Sequence, residues 1–274
     1  MKKFVLMFIP ALICGIVFTS CDRENLEPEV KIEQPVEELY EKLETAFQVS
    51  STDDLVKFFR DWNVSISSNT VNFIKQDKIS EAIFEIYKEF YSPLDLTNLG
   101  DWEWGNSLNS NSKYVAVQNK IVFAELKEEF FDTYFYQGIY ETITFDTICD
   151  FRPPLNLGKD KVLYLTPNYE KSLNMFLGTQ STEMGENGIM TPSMPREDSE
   201  KRYSFIRPYI PILHGHWGGY WHLATHPEIS WIVIDTKNGA SKVYFRVGYQ
   251  GGEALLKKKS NGWKIVESRA TWIE

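Results

Sequence analysis

The chain has 274 residues, of which 43% are hydrophobic, 15% aromatic and 24% charged, enough for a sizeable core and too apolar for wholesale disorder. A formal net charge of -9 leaves no electrostatic footprint for nucleic acid. No run of Lys or Arg marks a basic helix lying on a membrane surface.

Lys2 and Lys3 precede an apolar run from Phe4 to Phe18, broken by Pro10 and Gly15. A spanning helix needs about 20 apolar residues, so this run is short for a permanent anchor and fits the hydrophobic core of an export signal. It ends in Phe18-Thr19-Ser20-Cys21. Small residues before a Cys at that place resemble the lipobox of bacterial lipoproteins, with Phe18 and Ser20 where that motif more often has Leu and Gly or Ala. The resemblance implies cleavage after residue 20, lipid on Cys21, and a place in the cell envelope, in the outer membrane, with the membrane as partner through the anchor. Removing residues 1–20 takes away Lys2 and Lys3 and moves the charge from -9 to -11. With Cys14 removed and Cys21 acylated, Cys149 is left as a single free thiol, read as buried and structural because nothing basic lies beside it.

Residues 21–36 are charged and Pro-punctuated, a flexible tether. Residues 37–178 read as a helical and mixed α+β part. Val36, Leu39, Tyr40, Leu43 and Phe47 recur at helical spacing. Ser51-Thr52-Asp53-Asp54 caps a second helix carrying Leu55, Phe58, Phe59 and Trp62. A third helix spans Ile79 to Tyr91, with Pro93 just past its end. Short strands are expected at Tyr114–Val117, Ile121–Leu126, Ile139–Phe151 and Leu163–Leu165. Thr166-Pro167 opens another helix that Gly178 closes. Residues 179–198 read as a mobile loop, and 199–274 as an antiparallel β-sheet part that can form one domain with 37–178.

From Ser230 the pattern is a meander. Ile232 to Asp235, a Lys237-Asn238-Gly239 turn, a strand with Val243, Phe245, Val247 and Tyr249 on one face, a bend at Gly251-Gly252, and a hairpin at Asn261-Gly262 follow in order. The fold class is α+β, N-terminal helices with a C-terminal antiparallel sheet. The ending "KVYFRVGYQGGEALLKKKSNGWKIVESRATWIE" resembles the close of the nuclear-transport-factor-like and SnoaL-like family, which implies a cone-like shape. That fold hosts enzymes, binders and inert modules, so it transfers no function.

All four histidines lie between His214 and His226 in "HGHWGGYWHLATHPE", with His216 and His222 between them. Imidazole suits zinc, so these four are the candidate metal ligands, with Glu228 as a possible oxygen donor. Against that, Gly218-Gly219 interrupts regular structure and Pro227 disfavours helix at His226. No catalytic motif is present, the cofactor is unknown with zinc as the candidate, and the chain reads as a non-enzyme more than as an enzyme. Tyr220, Trp221, Arg246 and Tyr249 are the candidate ligand-pocket residues. Two functions follow. One is a lipid-anchored binding or assembly module that takes a small-molecule, glycan or protein ligand on the aromatic C-terminal sheet. The other is an envelope hydrolase, metal-dependent or acid–base, using the His214–His226 cluster.

Overall fold

Three helices open the fold because apolar residues recur every three or four positions, with side-chain caps at the starts of the second and third. The computed structural model describes residues 34–67, 77–100, 112–126, 144–157, 161–179, 193–214, 221–223 and 225–273. Helix α1 (Val36–Gln48) buries Val36, Leu39, Leu43 and Ala46. Helix α2 (Thr52–Ser67) begins where the Ser51 hydroxyl accepts from the Asp54 amide and buries Leu55, Phe58, Phe59 and Trp62. Helix α3 (Lys78–Phe90) is capped by Asp77, whose carboxylate accepts from the Ser80 amide at 2.7 Å. The membrane-length criterion is not met: among the described residues no helix is long and apolar enough to span a bilayer.

Strands β1 (Val115–Gln118) and β2 (Ile121–Glu125) follow each other closely but do not pair. β1 runs parallel to β4 (Val162–Leu165), whereas β2 joins a six-stranded sheet between β3 (Asp146–Ile148) and β7 (Glu228–Asp235). The sheet continues through β8 (Ala240–Val247), β9 (Gln250–Lys259) and β10 (Gly262–Ile273), giving the order β10-β9-β8-β7-β2-β3. Only the β2–β7 contact in it is parallel. The fold is α+β, with the helices N-terminal to most of an antiparallel sheet.

Helix α4 (Pro167–Leu177) has Pro at its start and closes at Gly178, whose φ of +74 is left-handed. Helix α5 (Arg196–Ile206) is a finding the pattern did not announce, for it takes residues read from sequence as the end of a loop and the start of the sheet part. Its surface is mostly charged, so its apolar periodicity is weak. It is held instead by single contacts: the Ser199 hydroxyl donates to the Leu177 carbonyl at 2.6 Å, and Arg202 pairs with Glu44 of α1. Strands β5 (Ile212–His214) and β6 (Trp221–Leu223) form a separate antiparallel ribbon.

One continuous core joins these layers. Trp62 stacks on Tyr169 of α4 at 4.3 Å and donates from its indole to the Tyr164 carbonyl at 3.0 Å, tying α2 to both α4 and β4. Phe90 of α3 meets Phe245 of β8 edge-on at 4.8 Å. Two details of the hairpin differ from the pattern. The loop residues are Ser260 and Asn261, with Gly262 paired to Lys259 at φ +103. β10 is irregular in two places against β9, between Ile265 and Glu267 and between Ala270 and Trp272, the second facing the bend expected at Gly251-Gly252.

Candidate functional site

Alternation along β7, β8 and β9 separates two faces. Ile232, Ile234, Val243, Phe245, Val247, Ala254 and Leu256 are buried toward the helices. The opposite face carries a row that crosses four strands: Trp231 pairs with Tyr244, Tyr244 with Glu253, and Glu253 with Arg269. The Trp231 and Tyr244 rings lie 5.0 Å apart, tilted by 33°. Phe145, beside β3, meets Trp231 edge-on at 6.3 Å.

Glu253 is the unusual member. Its side chain is only 4% exposed, and a carboxylate so placed requires compensating charge. Lys242 supplies it from 2.9 Å, and Arg269 donates through its Nε at 2.7 Å. Burial by itself raises the Glu253 carboxyl. The hydrogen bonds and charges of Lys242 and Arg269 outweigh burial and hold it below the usual carboxylate value. Arg269 itself is 62% exposed, so one end of the cluster faces solvent.

In the adjoining row Glu228 pairs with Arg246, whose Nε donates to Glu228 at 2.7 Å. Arg246 thus lies on the same face as Tyr244 but is committed to a cross-strand ion pair. Tyr249 sits half-buried in the turn between β8 and β9. Near this edge Glu170, in the first turn of α4, is an exposed residue whose carboxyl is nonetheless raised, first by the protein mass around it and then by the charge of Glu228.

The histidine segment is distributed differently. Trp221 is buried, with its ring stacked on Tyr203 of α5 at 3.9 Å and its indole bonded to the Ser199 hydroxyl. It fixes the β5–β6 ribbon to α5. In that ribbon His214 pairs with Trp221, and His222 with Leu213, so the two histidines occupy positions of opposite parity. His226 is 3% exposed and precedes Pro227 through a cis peptide bond. Its neighbour Thr225 bridges to Ala116. His216 and Tyr220, and the side chains of His214 and His222, lie outside the described residues, as does Cys21. Among the described residues no three His, Cys, Asp or Glu side chains form a group able to hold a metal. Trp221 lies on the β5–β6 ribbon, Arg246 on β8 and Tyr249 in the turn after it.

Cys149 requires a correction. It is half-buried and disulfide-bonded, where the sequence reading has a free buried thiol. The disulfide belongs to the full chain with its three cysteines; in a chain cut before an acylated Cys21 neither other cysteine could pair with Cys149, and the free thiol of the sequence reading refers to that processed form. The partner lies outside the described residues.

Glu253, Lys242 and Arg269 are missing from the sequence-based site. The available signal was a charged residue inside the strand "GGEALL", where alternation asks for burial on one side. Its two cations sit 11 residues before and 16 after it, and only the register brings them together. No protein-family model matches the chain, and neither a curated protein nor a solved structure matches it.

Proposed function

We propose that this chain is a lipid-anchored binding or assembly module of a bacterial cell envelope, held in the outer membrane through Cys21. Its ligand is taken on the outer face of the C-terminal sheet. The observation that carries this reading is the row Trp231–Tyr244–Glu253–Arg269. Two half-buried aromatic rings stand beside cations whose positions are fixed by a buried carboxylate, so little side-chain freedom is lost when a ligand is bound. Flat apolar faces next to charged donors suit a glycan, which has apolar ring faces and hydroxyl edges. Titration of the purified full chain with soluble cell-wall glycan fragments should perturb tryptophan fluorescence. Trp231→Ala and Arg269→Glu should each weaken binding at least about tenfold, the order expected for losing one anchoring contact. Equal binding by all three proteins, or none by the wild type, sinks the reading. The anchor is tested separately: intact mass should show cleavage before Cys21 with added acyl chains, and Cys21→Ala should lack them.

A second reading, an acid–base or zinc-dependent envelope hydrolase using the His214–His226 segment, is supported by one feature. Glu170 is raised toward protonation partly by Glu228, two residues from buried His226. Zinc should then raise the melting temperature as its concentration passes its dissociation constant. An unchanged melt removes the zinc form of this reading.

A further inference from the structure

The end of the sheet opposite Arg246 gathers lysines. β8 pairs with β9 so that Ala240 faces Lys257, and the amide of Lys258 donates to the Gly239 carbonyl at 2.7 Å. The Thr236–Gly239 turn therefore abuts the β9–β10 hairpin, and Lys237, Lys257, Lys258 and Lys259 share one corner, all exposed. Lys258 has Glu85 at 3.7 Å. Lys237, Lys257 and Lys259 make no ion pair with any described residue. Two nearby carboxylates are engaged elsewhere: Asp235 accepts from Asn238, and Glu89 pairs with Lys264 at 2.8 Å.

Lys258 reaches Glu85 and the Trp263 ring, but the charges of Lys237, Lys257 and Lys259 are not used in an ion pair with any described residue. Lysines often guard the edge strand of a sheet against pairing with other chains, but β9 is paired on both sides as far as Lys257, and the Lys258 amide bonds the Gly239 carbonyl just beyond. Lys257 also lies directly opposite Lys264, and like charges so placed destabilise a sheet. A basic corner is kept in a chain whose net charge is -9.

We infer that this corner docks on the anionic phospholipid surface to which the chain is tethered. The inference rests on the lipidation of Cys21 proposed above. Between Cys21 and Val36 the tether is about 14 residues, which reach at most about 50 Å fully extended. Tethering at that range raises the local concentration of the bilayer, so a weak contact suffices. Charges separated by more than about 8 Å are screened at physiological salt, so the acidic remainder of the molecule does not cancel the corner. The hairpin tip is Ser260-Asn261, with no apolar residue to insert. The contact is electrostatic, and it orients the sheet with this end toward the membrane.

The test is amine-reactive labelling of the full chain, reconstituted in vesicles of phosphatidylcholine alone or with about one-third phosphatidylglycerol, read residue by residue by mass spectrometry. Lys237, Lys257 and Lys259 should label about fivefold or more slowly on the anionic vesicles, a lysine near such a surface being worth about that factor. Lys201 on α5 should be unchanged, and half-molar salt should abolish the difference. The variant Lys237→Glu/Lys257→Glu/Lys259→Glu should keep the wild-type melting temperature, and its neighbour Lys258 should lose protection. Equal labelling on both vesicles overturns the inference. So does protection by soluble polyphosphate without protection by vesicles, which would assign the corner to a soluble polyanion. Intact mass of the same sample reports lipidation independently. If Cys21 is unmodified, flotation of the chain with anionic but not zwitterionic vesicles still supports the corner, and absence of flotation overturns it.

Discussion

Two polar side chains, Tyr87 fully buried and Arg202 half-buried, make opposite predictions. Tyr87 is fully buried, its hydroxyl has no hydrogen-bond partner, and burial pushes its phenol well above the ordinary value. A hydroxyl desolvated without compensation costs about 1–3 kcal/mol. Tyr87→Phe should therefore keep the stacking on Tyr91 at 4.9 Å and raise stability by up to about 1 kcal/mol in a urea titration. Arg202 is the contrary case. It forks onto both Glu44 oxygens and lies 4.9 Å from the ring centroids of Phe47 and Phe176. Arg202→Ala should cost about 2–4 kcal/mol, and Lys should not rescue it because an ammonium offers no fork. The Glu44 carboxyl is held below its usual value, first by the Arg202 hydrogen bond. Its folded proton affinity is lower than its unfolded one. This contribution is therefore complete above the unfolded carboxylate pKa of about 4.3 and is lost as pH falls through the lower folded value. The stability difference between wild type and Glu44→Gln should shrink over that acid range.

At the scale of elements, the end of α4 and the start of α5 are fastened at one glycine. Gly178 has a left-handed backbone, and a Cβ there would collide with the Met194 side chain. Gly178→Ala should lower stability by about 1–2 kcal/mol through backbone strain alone, and by more through the collision. Adding Met194→Ala should recover the second part and leave the first. Comparing the two melts tells conformational strain from crowding. The β5–β6 ribbon depends on a similar fastening. Trp221 is stacked on Tyr203 and bonded to Ser199, whose own hydroxyl reaches Leu177. Replacing Trp221 by Phe should retain the stack and lose only the bond, about 1 kcal/mol, whereas Ala should cost about 3–5 kcal/mol.

At the scale of the whole molecule, topology forbids a division at the stretch 179–198. Strand β2 is inserted in the sheet between β7 and β3, and β1 pairs only with β4 among named strands, with its bridge to Thr225 beside His226. A fragment of residues 199–274 would lack the α3 face that covers Phe245, and β7 would have an open edge where β2 belongs. It should show no cooperative thermal transition and poor amide dispersion by NMR, and mixing it with the complementary piece should restore both. A cooperative melt of the fragment alone would refute this account.

Periodicity was sufficient to locate α1, α2, α3 and α4 and the strands β7 to β10, because their apolar spacing, caps and turn residues all favour the same local structure. It located the Gly178 closure for the same reason, since only glycine takes that backbone without cost. Helix α5 was not legible: its first two turns are polar, its apolar residues are confined to its end, and it is held by Ser199, Arg202 and Tyr203 meeting residues far away in the chain. The candidate site divides in the same way. Trp231 and Arg246 stand out in the sequence as an aromatic and a cation on a strand. That Arg246 is consumed by Glu228, and that Glu253 is buried between Lys242 and Arg269, depends on strand register. Register is set by which strands pair and how far each is shifted, a tertiary quantity carried by the packed core and not by any local run of residues.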